Sequence, residues 1–484
     1  MIRGLSHLLL NDAAPTGSCC SSLPLADRGS QPLPAVDPGP GPYWNLFAYP
    51  VRLGSAHYVF LTDTKSVVTV DEQTFGDLAG AQGRTVPDRL TAGELTAFHS
   101  VGLVRNEAPA AQLTQVFARS TPSLHEYELL HIITSYTCNL TCSYCFMLSN
   151  LGTDQKLLSF DDAKRGIDLY FSRPHKPDSV IHFYGGEPLL HPRLIDDCLS
   201  YIVERYSASV IPKLITNGTL YGHQILDLLD RYDFDLSVSM DGDREAHDVF
   251  RVDRAGRSTF DKTIEGIRAF QSRGHNPKVL VTVGEHNVHR LPEIVDKLCD
   301  LQPHALALNF PRELPSVDNN LGDEAAELTF WVDQYARSLE VCYERGVPEL
   351  YFADMLFATL TDTPVLSPCA ACGKQISVGP GAQIGPCQAF VAAGMFSQPI
   401  EEFDETSPTG PFAPWQTVSK TMSTKCSRCP IAPICGGDCS FDRYNRTGSL
   451  NEPLPFHCDL RLAMAHLLAE RLVSGQPIGF TPAA

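Results

Sequence analysis

The stretch Thr137-Cys138-Asn139-Leu140-Thr141-Cys142-Ser143-Tyr144-Cys145-Phe146 spaces three cysteines as C-x3-C-x2-C. Three thiolates hold a [4Fe–4S] cluster with one iron left open for a ligand from outside. A structural zinc knuckle is the competing reading, and the odd number of ligands argues against it. An open iron is where chemistry would start.

Outward from this loop the sequence repeats a strand-then-helix rhythm. Short apolar runs of the kind buried in parallel sheets occur at Glu128 to Thr134, Val180 to Tyr184, Pro212 to Thr216, Asp235 to Met240, Lys278 to Val283 and Ala305 to Phe310. Amphipathic stretches lie between them, such as Ser159 to Phe171, opened by Ser159 with Asp162 three residues on, and Thr259 to Gln271. Six such units predict an α/β fold of the partial (β/α)6 barrel type, with ligands at the carboxyl ends of the strands. The polar motifs fall at those ends. Tyr184-Gly185-Gly186-Glu187-Pro188 follows the second run, Ile215-Thr216-Asn217-Gly218-Thr219 the third, and Ser239-Met240-Asp241-Gly242-Asp243 the fourth, with His247, Asp248 and Arg251 just beyond. Asn-Gly and Asp-Gly are also common turn dipeptides, so turn formation competes with ligand contact at each.

The cysteine loop, with the aromatic Tyr144 before its last cysteine, and the Gly-Gly-Glu-Pro motif at a strand end together resemble the radical S-adenosylmethionine (SAM) enzymes. The resemblance implies that Cys138, Cys142 and Cys145 hold a SAM-binding cluster. An electron from that cluster then cleaves the sulfonium to a 5′-deoxyadenosyl radical, which takes a hydrogen from substrate. It also implies cofactor contacts at Tyr144, Gly185, Gly186, Glu187, Asn217, Ser239 and Asp241, with Arg251 as partner of the SAM carboxylate, a role that suits guanidinium geometry.

The last third carries a larger array, Cys426-x2-Cys429-x5-Cys435-x3-Cys439, preceded by Cys369, Cys372 and Cys387 and followed by Cys458. Eight thiolates can close two [4Fe–4S] clusters completely. The spacing resembles the SPASM domain, which implies one auxiliary cluster on Cys369, Cys372, Cys387 and Cys439 and a second on Cys426, Cys429, Cys435 and Cys458. Five residues separate Gly381 from Cys387, where the family often has four, and Cys369 lies close to Cys372, so ligation of the first set departs from the pattern. Gln388 follows Cys387, where sulfatase-maturing relatives have an aspartate implicated as a base. An amide cannot accept a proton in that way, so formylglycine formation is disfavoured. Cys198, Cys299 and Cys342 fall in helical stretches and are read as core residues.

Toward the start, Asn11 to Pro42 is rich in Pro, Gly, Ser and Ala, and residues 1–42 read as a flexible tail. Trp44 to Arg52, Ala56 to Leu61 and Ser66 to Val70 read as strands. Helices are expected at Asp71 to Ala79 and Thr91 to Ser100, the latter with Thr91 and Glu94 as a capping box. Such a winged-helix-like module, assigned to 43–118, resembles the leader-recognition element of peptide-modifying relatives, which takes a leader segment as an added strand. The radical SAM barrel is assigned to 119–335 and the SPASM domain to 336–484.

The chain has 484 residues with 38 Lys+Arg against 56 Asp+Glu, a net charge of −18 that speaks against a general nucleic-acid binder. No apolar run approaches membrane-spanning length, and the first residues make a poor signal peptide. A cytoplasmic enzyme is expected, its 16 cysteines serving as reduced ligands. The resemblance to radical SAM/SPASM peptide maturases implies three [4Fe–4S] clusters, SAM, an electron donor such as flavodoxin or ferredoxin, and a ribosomal precursor peptide with a leader. The expected reaction is an intramolecular crosslink, with a C–C cyclophane favoured over a thioether of the sactipeptide or ranthipeptide type. Small-molecule dehydrogenation is the alternative.

Overall fold

The computed structural model describes residues 41–118, 127–147, 157–309, 324–360, 364–365, 371, 373–404, 407, 410–415, 423, 425–435 and 437–476. Most of the expected tail, Cys19, Cys20, Cys369 and Cys372 lie outside them. The front of the chain forms β1 (Tyr43–Trp44), β2 (Ala48–Leu53), β3 (Ala56–Leu61), β4 (Ser66–Val70) and β5 (Val104–Arg105). Strands β2, β3 and β4 make an antiparallel sheet in that order, and β1 pairs with β5. The single strand expected from Trp44 to Arg52 is broken at Asn45. Its side-chain amide donates to Gly102 O at 2.8 Å and its oxygen accepts from Phe47 N at 2.8 Å, an alternative to strand pairing. Helices follow at Glu72–Leu78, Ala92–Ser100 and Pro109–Ala118, the second with the Thr91/Glu94 capping box formed.

All six expected barrel strands are present: β6 (Tyr127–Ser135), β7 (His175–Gly185), β8 (Ile211–Thr216), β9 (Asp235–Ser239), β10 (Lys278–Thr282) and β11 (Leu306–Asn309). They are parallel and lie side by side in chain order. Crossover helices separate them, among them Phe160–Phe171, whose Ser159 cap accepts from Asp162 N at 3.1 Å, and Phe260–Ser272. Thr259 sits at the cap of the latter without bonding it, because its hydroxyl donates to Arg251 O at 2.6 Å. Strands β12 (Gln375–Gly379), β13 (Gln383–Gly385) and β14 (Gln398–Pro399) then extend the sheet. Strand β12 pairs parallel to β6, so the sheet has nine strands and continues from the middle of the chain into its last third. The expected domain boundary at 335/336 falls within the helix Glu324–Arg345.

Side chains alternate along the parallel strands. Leu130, Ile132, Ile181, Phe183, Leu214, Val238 and Val279 join the helix-covered core. The opposite face carries a polar row, with Ser377, His131, His182, Lys213 and Asp235 in lateral register across β12, β6, β7, β8 and β9. The front sheet is tied to the last third: Tyr49 Oη donates to Leu462 O at 3.4 Å, Thr62 Oγ1 donates to Pro430 O at 2.5 Å, and Leu46, Phe47 and Val116 pack with Ala432 and Cys429. Cys198, Cys299 and Cys342 are buried in the core, as expected. No helix among the described residues is long and apolar enough to cross a membrane.

Candidate active site

Strand β6 ends at Ser135, and the cysteine loop leaves directly from it, so Cys138, Cys142 and Cys145 stand at the carboxyl edge of the parallel sheet. Burial pushes the Cys138 thiol up to about 12 and that of Cys142 to about 11. Both feel the charge of Cys145, so the three sulfurs face one another within electrostatic reach. Thiols held this way stay protonated without a cation, and bound metal is what makes a thiolate tolerable in such surroundings. The donor set therefore fits iron. Among the described residues no three His, Cys, Asp or Glu side chains converge on a single-ion site. A cluster instead gives each cysteine its own iron, which spaces the sulfurs more widely than one tetrahedral ion does.

The loop is buttressed by the tips of β7 and β8. Gly186 N donates to Ser135 O at 2.8 Å and Glu187 N to Thr137 O at 2.9 Å. The approach requires glycine. A Cβ on Gly185, whose φ is +143°, would lie 2.3 Å from Ser135 O, and one on Gly186 would lie 2.2 Å from Thr137 O. The two glycines thus let the tip of β7 approach the backbone of Ser135 and Thr137 closely.

Glu187 is buried, and its carboxylate turns inward. It accepts from Leu189 N at 3.0 Å, Thr216 Oγ1 at 2.8 Å and Asn217 N at 2.7 Å, tying the tip of β7 to that of β8. Burial raises it to about 7, against the pull of those three donors. Asn217 Nδ2 donates to Asn139 Oδ1 at 2.8 Å and reaches Cys138 Sγ at 3.7 Å, so the third motif also grips the first.

At the tip of β9, Asp241 is completely buried and acts as a hub. Its Oδ1 accepts from Thr282 N at 2.9 Å, and its Oδ2 accepts from Tyr144 Oη at 2.5 Å. Arg251 Nε lies 2.9 Å from the same Oδ2, close but off the N–H line, and its guanidinium sits 5.4 Å from the centre of the Tyr144 ring. Burial raises the Tyr144 hydroxyl well above its ordinary range, which keeps it a donor to Asp241. Ser239 ends β9, half-buried, beside Leu280 of β10. The structure thus brings Tyr144, Gly185, Gly186, Glu187, Asn217, Asp241 and Arg251 together around the cysteine loop, though Glu187 and Asp241 spend their carboxylates on the scaffold.

The later cysteines fall into two groups. Cys429 feels the charges of Cys435, Cys426 and Cys458, and Cys458 feels those of Cys435 and Cys426, so these four face one another. Burial pushes Cys429 and Cys458 up to about 12 and raises Cys435. Cys387 and Cys439 instead share an aromatic cluster with Phe390, Trp415 and Phe441. That cluster reaches the first loop through Phe146, whose ring lies 6.1 Å from that of Phe441. Gln388 opens the helix Gln388–Ala392, with its Oε1 3.6 Å from Cys387 Sγ.

Two residues here were not foreseen. Arg254 donates to Cys138 O through Nε at 3.0 Å and Nη2 at 2.7 Å, clamping the cysteine loop from its solvent side. It lines an open cleft of about 650 Å³ together with Cys138, Asn139, Leu190 and Arg257. His286, beyond the tip of β10, lies 3.9 Å from Asp241 Oδ2, with both ring nitrogens buried and unbonded among the described residues. Both stand in loop sequences with no spacing signal, and only the fold brings them to the cysteines.

Residues 132–298 match the family described as the Radical SAM superfamily, and this part of the chain is a radical SAM domain. The matched stretch begins in β6 and takes in the cysteine loop and every strand-tip motif through His286. Among its relatives, the chain is 26% identical over 270 residues to the antilisterial bacteriocin subtilosin biosynthesis protein AlbA of Bacillus subtilis, covering 54% of each chain. It spans 54% of that relative's length and 38% of the length of the serine-type anaerobic sulfatase-maturating enzyme of Bacteroides thetaiotaomicron. Its fold is similar to that of anSMEcpe with bound AdoMet, with a TM-score of 0.61 at 20% identity over 72% of this chain and 94% of that one. It is also similar to Streptococcus suis SuiB bound to precursor peptide SuiA, with a TM-score of 0.50 at 15% identity over 86% and 99%.

Proposed function

We propose that this protein oxidatively modifies a ribosomally made precursor peptide by radical SAM chemistry. The observation that carries the reading is the three-cysteine loop gripped by the tips of β7 and β8, in a chain whose relatives include a bacteriocin biosynthesis protein and a fold neighbour bound to a precursor peptide. In this reading Cys138, Cys142 and Cys145 hold the cluster whose open iron takes SAM, which supplies the hydrogen-abstracting radical. Tyr144, Gly185, Gly186 and Glu187 shape the pocket wall, Asn217 and Ser239 offer polar contacts, and Arg251, oriented by Asp241, receives the SAM carboxylate.

Cys426, Cys429, Cys435 and Cys458 hold one auxiliary cluster. Cys387 and Cys439, with Cys369 and Cys372, hold the other. The substrate radical left by hydrogen abstraction must give up one electron for the new bond to form, and a cluster held by that second set would accept it; the Phe146–Phe441 contact lies between the first loop and those cysteines. The β2-β3-β4 sheet, whose outer strand β4 has an unpaired edge among the described residues, serves as the leader-binding module, since an edge strand accepts an extended segment by backbone pairing. An electron donor such as flavodoxin or ferredoxin completes the system in the cytoplasm.

Within this reaction class the product is an intramolecular crosslink, most simply a C–C cyclophane. Gln388 in place of a basic aspartate weighs against formylglycine formation. The test is co-expression with a candidate precursor peptide, sought as a short open reading frame in the gene's neighbourhood, followed by mass spectrometry of the peptide. A loss of about 2 Da per crosslink, mapped to a ring carbon and a neighbouring side-chain carbon, is expected. An unmodified peptide alongside SAM turnover on a small alcohol would replace this reading with dehydrogenation, and a bond mapped to cysteine sulfur would replace the cyclophane with a thioether.

A further inference from the structure

The hairpin that follows the helix Arg244–Phe250 is stitched to the cysteine loop. Thr141 N donates to Val252 O at 2.9 Å, Thr141 Oγ1 donates to Asp253 O at 3.3 Å, and Leu140 pairs with Asp253 in an antiparallel bridge. The hairpin closes on itself through Asp253 N, which donates to Arg257 O at 3.0 Å, and through the Val252–Ser258 bridge. Arg254 then reaches back to Cys138 O with two N–H donors. Loop and hairpin therefore form one wall, and the open cleft of about 650 Å³ beside it is lined by Cys138 itself.

The chain carries a net charge of −18, yet this wall is cationic. Arg254 and Arg257 are exposed, and the Arg254 guanidinium is bonded to a carbonyl, with no carboxylate partner among the described residues. Asp253, the one acid lining the cleft, spends both oxygens on its own hairpin. Its Oδ1 accepts from Ala255 N at 2.8 Å and Arg257 N at 2.9 Å, and its Oδ2 accepts from Arg257 Nε at 2.7 Å. Leu190, 37% exposed, adds an apolar spot to the same cleft. Arginine charge around a small apolar centre is what a transient complex with an anionic protein surface requires.

We propose that this cleft is the docking surface for the electron donor, a small redox protein that presents its cofactor within an acidic surface. The proposal deepens the radical SAM reading and rests on it, because a cluster on Cys138, Cys142 and Cys145 is reduced from outside the chain. One electron leaves the reduced donor and enters that cluster, and no bond forms or breaks at the docking face. The tie from Arg254 to Cys138 O puts the cationic surface and the electron's point of entry in one place. Electron-transfer complexes bury little area and dissociate quickly, which suits an open cleft.

The test is equilibrium binding of a flavodoxin of acidic surface to anaerobically reconstituted full-length protein, beside 5′-deoxyadenosine release driven by that reduced flavodoxin or by dithionite. Arg257→Glu and, separately, Leu190→Glu are expected to weaken flavodoxin binding about tenfold at low salt and to cut flavodoxin-driven release by a similar factor. Dithionite-driven release should stay within about twofold of wild type, since a small reductant needs no docking surface. Wild-type binding should weaken steeply as salt rises. Unchanged flavodoxin affinity in both variants, or wild-type binding insensitive to salt, would overturn the proposal. Equal losses under flavodoxin and dithionite with flavodoxin affinity kept would overturn it too, and make the hairpin a support of the cysteine loop. A wild-type protein that binds flavodoxin through this cleft but releases nothing under dithionite would keep the docking surface and sink the radical chemistry, so the two failures are told apart.

Discussion

Gly186→Ala is expected to strip the iron of the cluster proposed at Cys138, Cys142 and Cys145 while sparing the proposed auxiliary ones. The added Cβ would stand 2.2 Å from Thr137 O, 2.4 Å from Thr137 C and 3.0 Å from Cys138 N, all backbone atoms with no flexible side chain to yield. Relief must come from moving the Thr137–Cys138 peptide or the tip of β7. Either movement breaks the bonds from Gly186 N to Ser135 O and from Glu187 N to Thr137 O that fix the loop. Overpacking of this kind costs about 1–3 kcal/mol before the lost hydrogen bonds are added. Iron should fall by about four atoms per chain, and SAM cleavage by about a hundredfold or more, since each 1.4 kcal/mol is a factor of ten. Iron analysis and 5′-deoxyadenosine assay on the same preparation check both.

Arg251→Met is expected to cost about 3–5 kcal/mol of stability, because it leaves the completely buried Asp241 carboxylate without its cation. The Tyr144 hydroxyl and Thr282 N still donate to Asp241, but neither carries charge. Pairing the change with Asp241→Asn should recover much of the loss, since the uncompensated charge is then gone. Thermal unfolding of the single and double variants provides the cycle. SAM binding should stay weak in both if Arg251 receives the carboxylate, so stability and affinity separate the structural role from the ligand role.

Much of this was legible in the sequence because it is local. The six barrel strands are continuous apolar runs, and Ser159 and Thr91 mark their helices through side chains that bond backbone a turn away. The cysteine loop and its buttressing motifs each lie within a few residues of a strand end. What stayed hidden depends on partners distant in the chain. Strands β12 to β14 are short and rich in Gln and Gly, with too little periodicity to announce that Gln375–Gly379 would pair with β6 some 240 residues earlier. The inward turn of the Glu187 carboxylate depends on Thr216 and Asn217, thirty residues away. His286 and Arg254 read as ordinary loop residues until the fold sets them beside Asp241 and Cys138.

The most direct measurement is 5′-deoxyadenosine released from SAM by the anaerobically reconstituted, chemically reduced protein, run beside Cys142→Ala. An open cluster at Cys138, Cys142 and Cys145, as proposed, predicts release by the wild-type protein and none by the variant, with about four fewer irons in the latter. An iron-replete wild-type protein that leaves SAM intact, or a Cys142→Ala variant that still cleaves it, would contradict the assignment.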